Sequence, residues 1–192
     1  MIRRFAVFAL MLGLAACSET PVDLSKPAVA LGNFKLGHSE VVAPQLQQLL
    51  VSREATAEEW TTVVDEAFEE RFRRYAGDQF YHIGVSVEAY SLPPPIVPGK
   101  SALALNVTIW QDSTQAKLNA KPKMIHVIKV FESRLSKDKA AQMRGLAQEA
   151  ALLVEKWMRE QQESQGWFGG LPEEPEEAVA PQVAENGLDT DA

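Results

Sequence analysis

Between residues 33 and 165 the apolar positions alternate between a spacing of two and a spacing of three to four, and each switch marks a new element. Residues 33–42 alternate around Phe34 and Leu36 and close on Val41 and Val42 before Pro44, which predicts a first strand with a bend at Gly37. Leu46, Leu49 and Leu50 read as a short helical turn. Thr56 and Glu59 have the spacing of a capping box, and behind them Trp60, Val63, Val64, Ala67, Phe68, Phe72 and Tyr75 recur at helical intervals, so an amphipathic helix is expected to end near Gly77. Residues 80–92 alternate again, with Tyr81, Ile83, Val85, Val87 and Ala89 inward and His82, Gly84, Ser86, Glu88 and Tyr90 outward.

Three prolines at 93–95 remove backbone donors and predict an extended loop. A third strand follows at 101–111, with Leu103, Leu105, Val107 and Ile109 inward and Asn106, Thr108 and Trp110 outward, so that the second and third strands form an antiparallel hairpin. A polar connection leads to a fourth strand at 123–134 that is apolar on both faces. Ser136 is placed to cap a long helix over 137–163, whose stripe is Met143, Leu146, Ala147, Ala150, Leu153, Val154 and Trp157, and the glycines of 166–170 stop it. The order β-α-β-β-β-α predicts an α+β fold: a two-layer sandwich whose mixed sheet carries both helices on one face, with a parallel crossover between the first two strands.

Outside this region the pattern lapses. Residues 1–16 hold Arg3 and Arg4, then an uncharged run from Phe5 to Leu14 that would make about 15 Å of helix at ~1.5 Å per residue, half the thickness of a bilayer core. That is the form of a secretory signal rather than a permanent span. Leu14, Ala15 and Ala16 then lead into Cys17, the one cysteine of the chain. This run resembles the bacterial lipobox, and the resemblance implies that the signal is cut before Cys17, that Cys17 carries thioether-linked diacylglycerol with an acylated amino group, and that this covalent lipid is the chain's only cofactor. Ser18 after it implies, by the sorting rules of enteric lipoproteins, the outer membrane on its periplasm-facing side. The division expected is a removed signal at 1–16, a lipidated tether at 17–30, a single α+β domain at 31–168 and a disordered acidic tail at 169–192. In architecture alone the body resembles small accessory lipoproteins of envelope assembly and transport.

Charge sharpens this division. Without the signal, 17 basic side chains face 26 acidic ones, a formal charge of −9, and −7 of it falls in residues 171–192, which contain no lysine or arginine. The body is near neutral and offers no basic stripe for nucleic acid. A lone cysteine allows no intrachain disulfide, so the apolar core has to hold the fold unaided.

No constellation for catalysis emerges. His38, His82 and His126 fall in or beside strands without paired ligand spacing, although His82 and His126 would share a metal or proton if they met across the sheet. Neither a nucleophile elbow nor a phosphate-cradling loop is present. The expected function is therefore a non-catalytic binding or accessory protein, held to the membrane by its lipid and engaging another envelope protein. The alternative is a carrier that holds a lipid or small apolar molecule between sheet and helices. The candidate partner surface is Tyr90 and Trp110 on the outward sheet face, with Trp167 and Phe168 before the tail, where folding back against the domain is expected over a protruding knob.

Overall fold

The computed structural model describes residues 24–49, 51–95, 97, 99–129 and 138–170. The elements are β1 (Phe34–Val42), β2 (Gln47–Gln48), α1 (Ala57–Phe72), β3 (Gln79–Ser91), β4 (Ser101–Gln111), β5 (Ala116–Lys117), β6 (Lys123–Lys129) and α2 (Lys139–Gln165). β3 runs parallel to β1 and antiparallel to β4, and β6 runs antiparallel along the far side of β4. The two-residue strands extend the outer rows: β2 pairs with β3 beyond β1, and β5 pairs with β4 beyond β6. The α+β order expected from the pattern is the one observed, with two short strands added. The region of Leu46 and Leu49 forms β2 instead of a helical turn, because Leu49 donates its N–H to the Tyr90 carbonyl at the sheet edge.

Each helix is started by a side chain. Thr56 accepts the Glu59 N–H at 3.1 Å while Glu59 accepts the Thr56 N–H at 2.8 Å, a complete capping box. Lys139, from the first turn of α2, also donates to Glu59; that hydrogen bond, with the one from Thr56, holds the Glu59 carboxyl below its ordinary range. α2 begins two residues later than the pattern suggested, with Asp138 accepting the Ala141 N–H at 2.7 Å. Ser136, the expected cap, and the final part of the expected fourth strand lie outside the described residues. α2 ends at Gly166, whose φ of +65° is the left-handed conformation that only glycine adopts without penalty.

Both helices cover one face of the sheet, α1 over β1 and α2 over β4 and β6. Between the layers Val64, Phe68, Leu105, Val107, Ile109, Leu146, Ala150 and Val154 are wholly buried. Each of these side chains larger than alanine contributes about 1.5–3 kcal/mol by leaving water. Ser39 is the inward hydroxyl on β1 and donates to Asp65 and Glu69 of α1 at 2.8 and 2.9 Å.

Two breaks in register decide which side chains face out. The first, between Leu36 and His38, is the bend expected at Gly37; it moves Ser39 inward and turns His38 and Glu40 outward. The second, between Val87 and Ala89, shifts the phase of β3, so Tyr90 turns into the core, where it is 2% exposed. Its ring meets Trp60 at 5.3 Å and its hydroxyl accepts the Ala55 N–H at 2.9 Å. Strict alternation put Tyr90 outward, and the bulge reverses it.

The chain after α2 folds back. Phe168 is fully buried, with its ring 5.2 Å from Phe34 and 5.0 Å from Tyr81, and its carbonyl accepts the Asn33 N–H at 2.9 Å. Phe168 is therefore a core residue rather than a surface one. Trp167 is half-buried, edge-on to Trp157 at 5.3 Å. At the other end, Arg159 donates to the carbonyls of Ala30 and Val29 at 3.1 and 3.2 Å, which binds the incoming chain to α2. Among the described residues no helix is long and apolar enough to cross a membrane.

Candidate functional site

The sheet face opposite the helices is uncovered, and its side chains form rows across the strands. In one row His38 of β1 is level with His82 of β3, His82 with Trp110 of β4, and Trp110 with Lys117 of β5. The next row is Glu40, Gly84 and Thr108; the one after it is Val42, Ser86, Asn106 and Met124. Phe80, Met124 and Ile128 on this face are 45%, 55% and 59% exposed, unlike any large apolar side chain of the helix-covered face.

Two glycines shape the floor. A β-carbon at Gly84 would stand 2.6 Å from Trp110 Cζ3, and one at Gly37 would stand 2.8 Å from His82 Cε1. The indole and the imidazole therefore lie against bare backbone, a close approach that any side chain would prevent. His82 is held in place by Asp112, with 2.8 Å between Nε2 and Oδ1. Lys117 sets its ammonium 5.6 Å from the centre of the Trp110 ring. The outcome is an open concavity of about 460 Å³, with Val42 and Glu40 on one side, Asn106 and Thr108 on the other, and Gln115 and Pro122 at one end.

This arrangement suits binding. It presents an aromatic floor, aliphatic walls and a rim of amide, imidazole, carboxylate and ammonium groups with both donors and acceptors. Glu88 accepts from the Asn106 amide at 3.0 Å, so one rim group is already oriented. Among the described residues no group of three or more histidine, cysteine or acidic side chains could hold a metal ion.

The sequence-level candidates scatter. Trp110 lies in the concavity, while Tyr90 and Phe168 are inside and Trp167 packs at the end of α2. Leu14, Ala15, Ala16 and Cys17 lie outside the described residues. His82 and His126 do not meet: their partners on β4, Trp110 and Ala104, are six positions apart, roughly 20 Å along a strand. His82 is level with His38 instead. Gly37, read from the pattern only as a bend, Gly84, read only as an outward position, and Asp112 from the turn after β4 are the site residues that the pattern did not assign; His38 was considered only as a histidine without paired ligand spacing. Gly84 is level with Thr108, and Gly37 falls in the register break, so each glycine lies diagonal to the ring it carries.

No protein-family model and no curated protein matches the chain. Among solved structures it is similar to a Xanthomonas campestris protein of the DUF330 family, with 16% identity and a TM-score of 0.44 over 73% of this chain and 93% of that one. It is also similar to the PelC dodecamer of Paraburkholderia phytofirmans, with 11% identity and a TM-score of 0.38 over 65% and 89%. A Caulobacter crescentus protein whose structure is described as that of a "putative lipoprotein" is 13% identical, with a TM-score of 0.37 over 62% and 90%. These likenesses assign neither a family nor an activity to the chain.

Proposed function

We propose that this chain is a non-catalytic accessory protein of the bacterial cell envelope, fixed to the periplasm-facing side of the outer membrane through lipid on Cys17, and that it binds another envelope protein with its open sheet face. The observation that carries the reading is the concave face itself. Trp110 and His82 are seated on Gly84 and Gly37, and the groove over them is left free while both helices pack on the other side. Building that floor uses two glycines in strands, which lack side chains to pack and cost conformational entropy, so a return in binding is the economical explanation.

The carrier reading places its ligand between the layers. There Phe68, Leu105, Val107 and Leu146 already fill the space with no exposure to solvent, which favours the binding module. A photo-crosslinking residue at Ser86 or Asn106, in cells expressing the full chain, tests the reading. Capture of one discrete envelope protein from these positions, and none from Glu66 on the outer side of α1, is expected. Equal, diffuse labelling from all three positions would remove the sheet face as the binding surface.

A further inference from the structure

The β5–β6 edge of the sheet, beside the groove, carries an unmatched charge. Residues 113–129 contain Lys117, Lys121, Lys123 and Lys129 and no acidic residue. Lys129 donates to the Gly145 carbonyl at 2.9 Å, whereas Lys117, Lys121 and Lys123 are exposed and have no carboxylate partner among the described residues. The nearest acid in sequence, Asp112, is engaged by His82. Lys117 stands over Trp110, and Pro122, between the other two lysines, lines the groove.

The described chain ends at the same edge, on its helix-covered side. Lys123 lies 5.9 Å from the Trp157 ring, Trp157 touches Trp167, and Gly170 is three residues further on. Beyond Gly170 come 22 residues with seven acidic side chains and no basic one, four of them crowded at Glu173, Glu174, Glu176 and Glu177. At ~3.3–3.6 Å per residue, the stretch to Glu177 reaches roughly 25 Å from its start. That is enough to pass Lys123 and run along the edge that β6 and β5 form beside β4 towards Lys117.

We propose that residues 171–192 dock on Lys117, Lys121 and Lys123 and so lie across the Trp110 end of the groove, as an internal occupant that an external partner displaces. Attachment at Gly170 gives the acidic run an effective concentration in the millimolar range at these lysines, so individually weak exposed ion pairs suffice to hold it part of the time. The docking stands on charge and position alone. Only its consequence, competition for the groove, rests on the proposed function.

Zero-length carbodiimide crosslinking of the full-length protein at low ionic strength, read by peptide mass mapping, tests it. Crosslinks from Glu173–Glu177 are expected to concentrate on Lys117, Lys121 and Lys123, to fall roughly fivefold in about 0.5 M sodium chloride, where screening is strong, and to vanish in the Lys117→Gln, Lys121→Gln, Lys123→Gln variant. Even scatter over Lys26, Lys35, Lys100 and Lys156 overturns the proposal. So do crosslinks that form only between isotope-labelled and unlabelled copies, which would make a second copy the occupant. Lysine-dependent sedimentation with phosphatidylglycerol vesicles in the absence of tail crosslinks overturns it as well, in favour of the membrane surface. Photo-crosslinking from Ser86 is read independently, so loss of tail docking and loss of the groove's partner remain separate results.

Discussion

Arg71 of α1 and Glu155 of α2 face each other with 2.5 Å between Nη1 and Oε2, their side chains only 3% and 12% exposed. Glu155 also accepts the Tyr75 hydroxyl, and Arg159, one turn along, reaches from Tyr75 to the carbonyls of Val29 and Ala30. One carboxylate thus ties together both helices, the turn after α1 and the incoming chain. Removing it takes the carboxylate of this pair away from a buried guanidinium. Glu155→Ala is expected to destabilise by about 3–5 kcal/mol, whereas Arg71→Met combined with Glu155→Leu recovers most of that loss. For a chain of this size the single variant should melt about 10 °C or more below the parent, read by circular dichroism.

Tyr75 gives that cluster a signature in alkali. Burial, the hydrogen bond to Glu155 and the negative charge of Glu155 together push its hydroxyl far above the ordinary tyrosine range, and burial also raises Tyr81. The fold prefers the neutral phenol, so this stabilisation is full below about pH 10, the unfolded value, and declines as the pH rises above it. The denaturant midpoint should fall steeply above pH 10. In Tyr75→Phe it should start lower, for want of the bond to Glu155, and fall less steeply. Equal slopes for the two proteins would separate Tyr75 from the alkaline transition.

The reach of the sequence is visible in these residues. The start of α1, the inward stripes and the strand order were legible because they rest on local spacing, with the capping pair Thr56 and Glu59 marking α1, whereas α2 takes Asp138 and not Ser136 as its cap. The outward face was legible only up to the bulge after Val87, since one inserted residue reverses every later position and alternation cannot register it. Trp110 was therefore placed correctly and Tyr90 was not. The floor under Trp110 depends on which strand pairs with which and in what register, information that no single stretch contains.

Tyr90 accordingly gives a clean test of the bulge. Its hydroxyl both accepts the Ala55 N–H and donates to the Ala55 carbonyl, at 2.9 and 3.1 Å. Tyr90→Phe leaves a buried backbone donor unmet and should destabilise by about 1–3 kcal/mol. Tyr90→Ala also removes the ring packed on Trp60 and should lose about 3–5 kcal/mol. Neither should alter capture of a partner from Ser86 once the protein is folded. An unchanged melting curve in Tyr90→Phe would return the side chain to the outer face.

Gly84→Ala acts on the groove from beneath. Its new methyl group would sit 2.6 Å from Trp110 Cζ3, so the indole has to lift off the floor or the strands have to part. A loss of about 1–3 kcal/mol is expected, typical of overpacking. The informative readout is the Trp110 indole resonance, which should move while those of Trp60 and Trp157 stay in place. Partner capture from Asn106 should drop in parallel. If Trp110 shifts and capture is unaffected, the seated indole is structural and the binding surface lies elsewhere on the face.

Cys17→Ser tests the anchor itself. At ~0.8 kcal/mol per buried methylene, one acyl chain holds a protein weakly and two or three hold it for practical purposes permanently, so lipid on this one sulfur would decide between membrane and solution. The wild-type protein is expected to begin at Cys17 with a mass increment for diacylglycerol and a further acyl group, and the serine variant to keep residues 1–16 and carry no lipid. An anchor at Cys17 would also limit where the groove can act. With Ala28 packed on the core and Val29 and Ala30 held by Arg159, the stretch from Ser18 to Ala28 could span at most roughly 40 Å. Lengthening it by a flexible insert after Thr20 should therefore preserve lipidation and melting temperature yet weaken capture of a membrane-bound partner, and an unmodified mass for the native protein would remove the premise of that geometry.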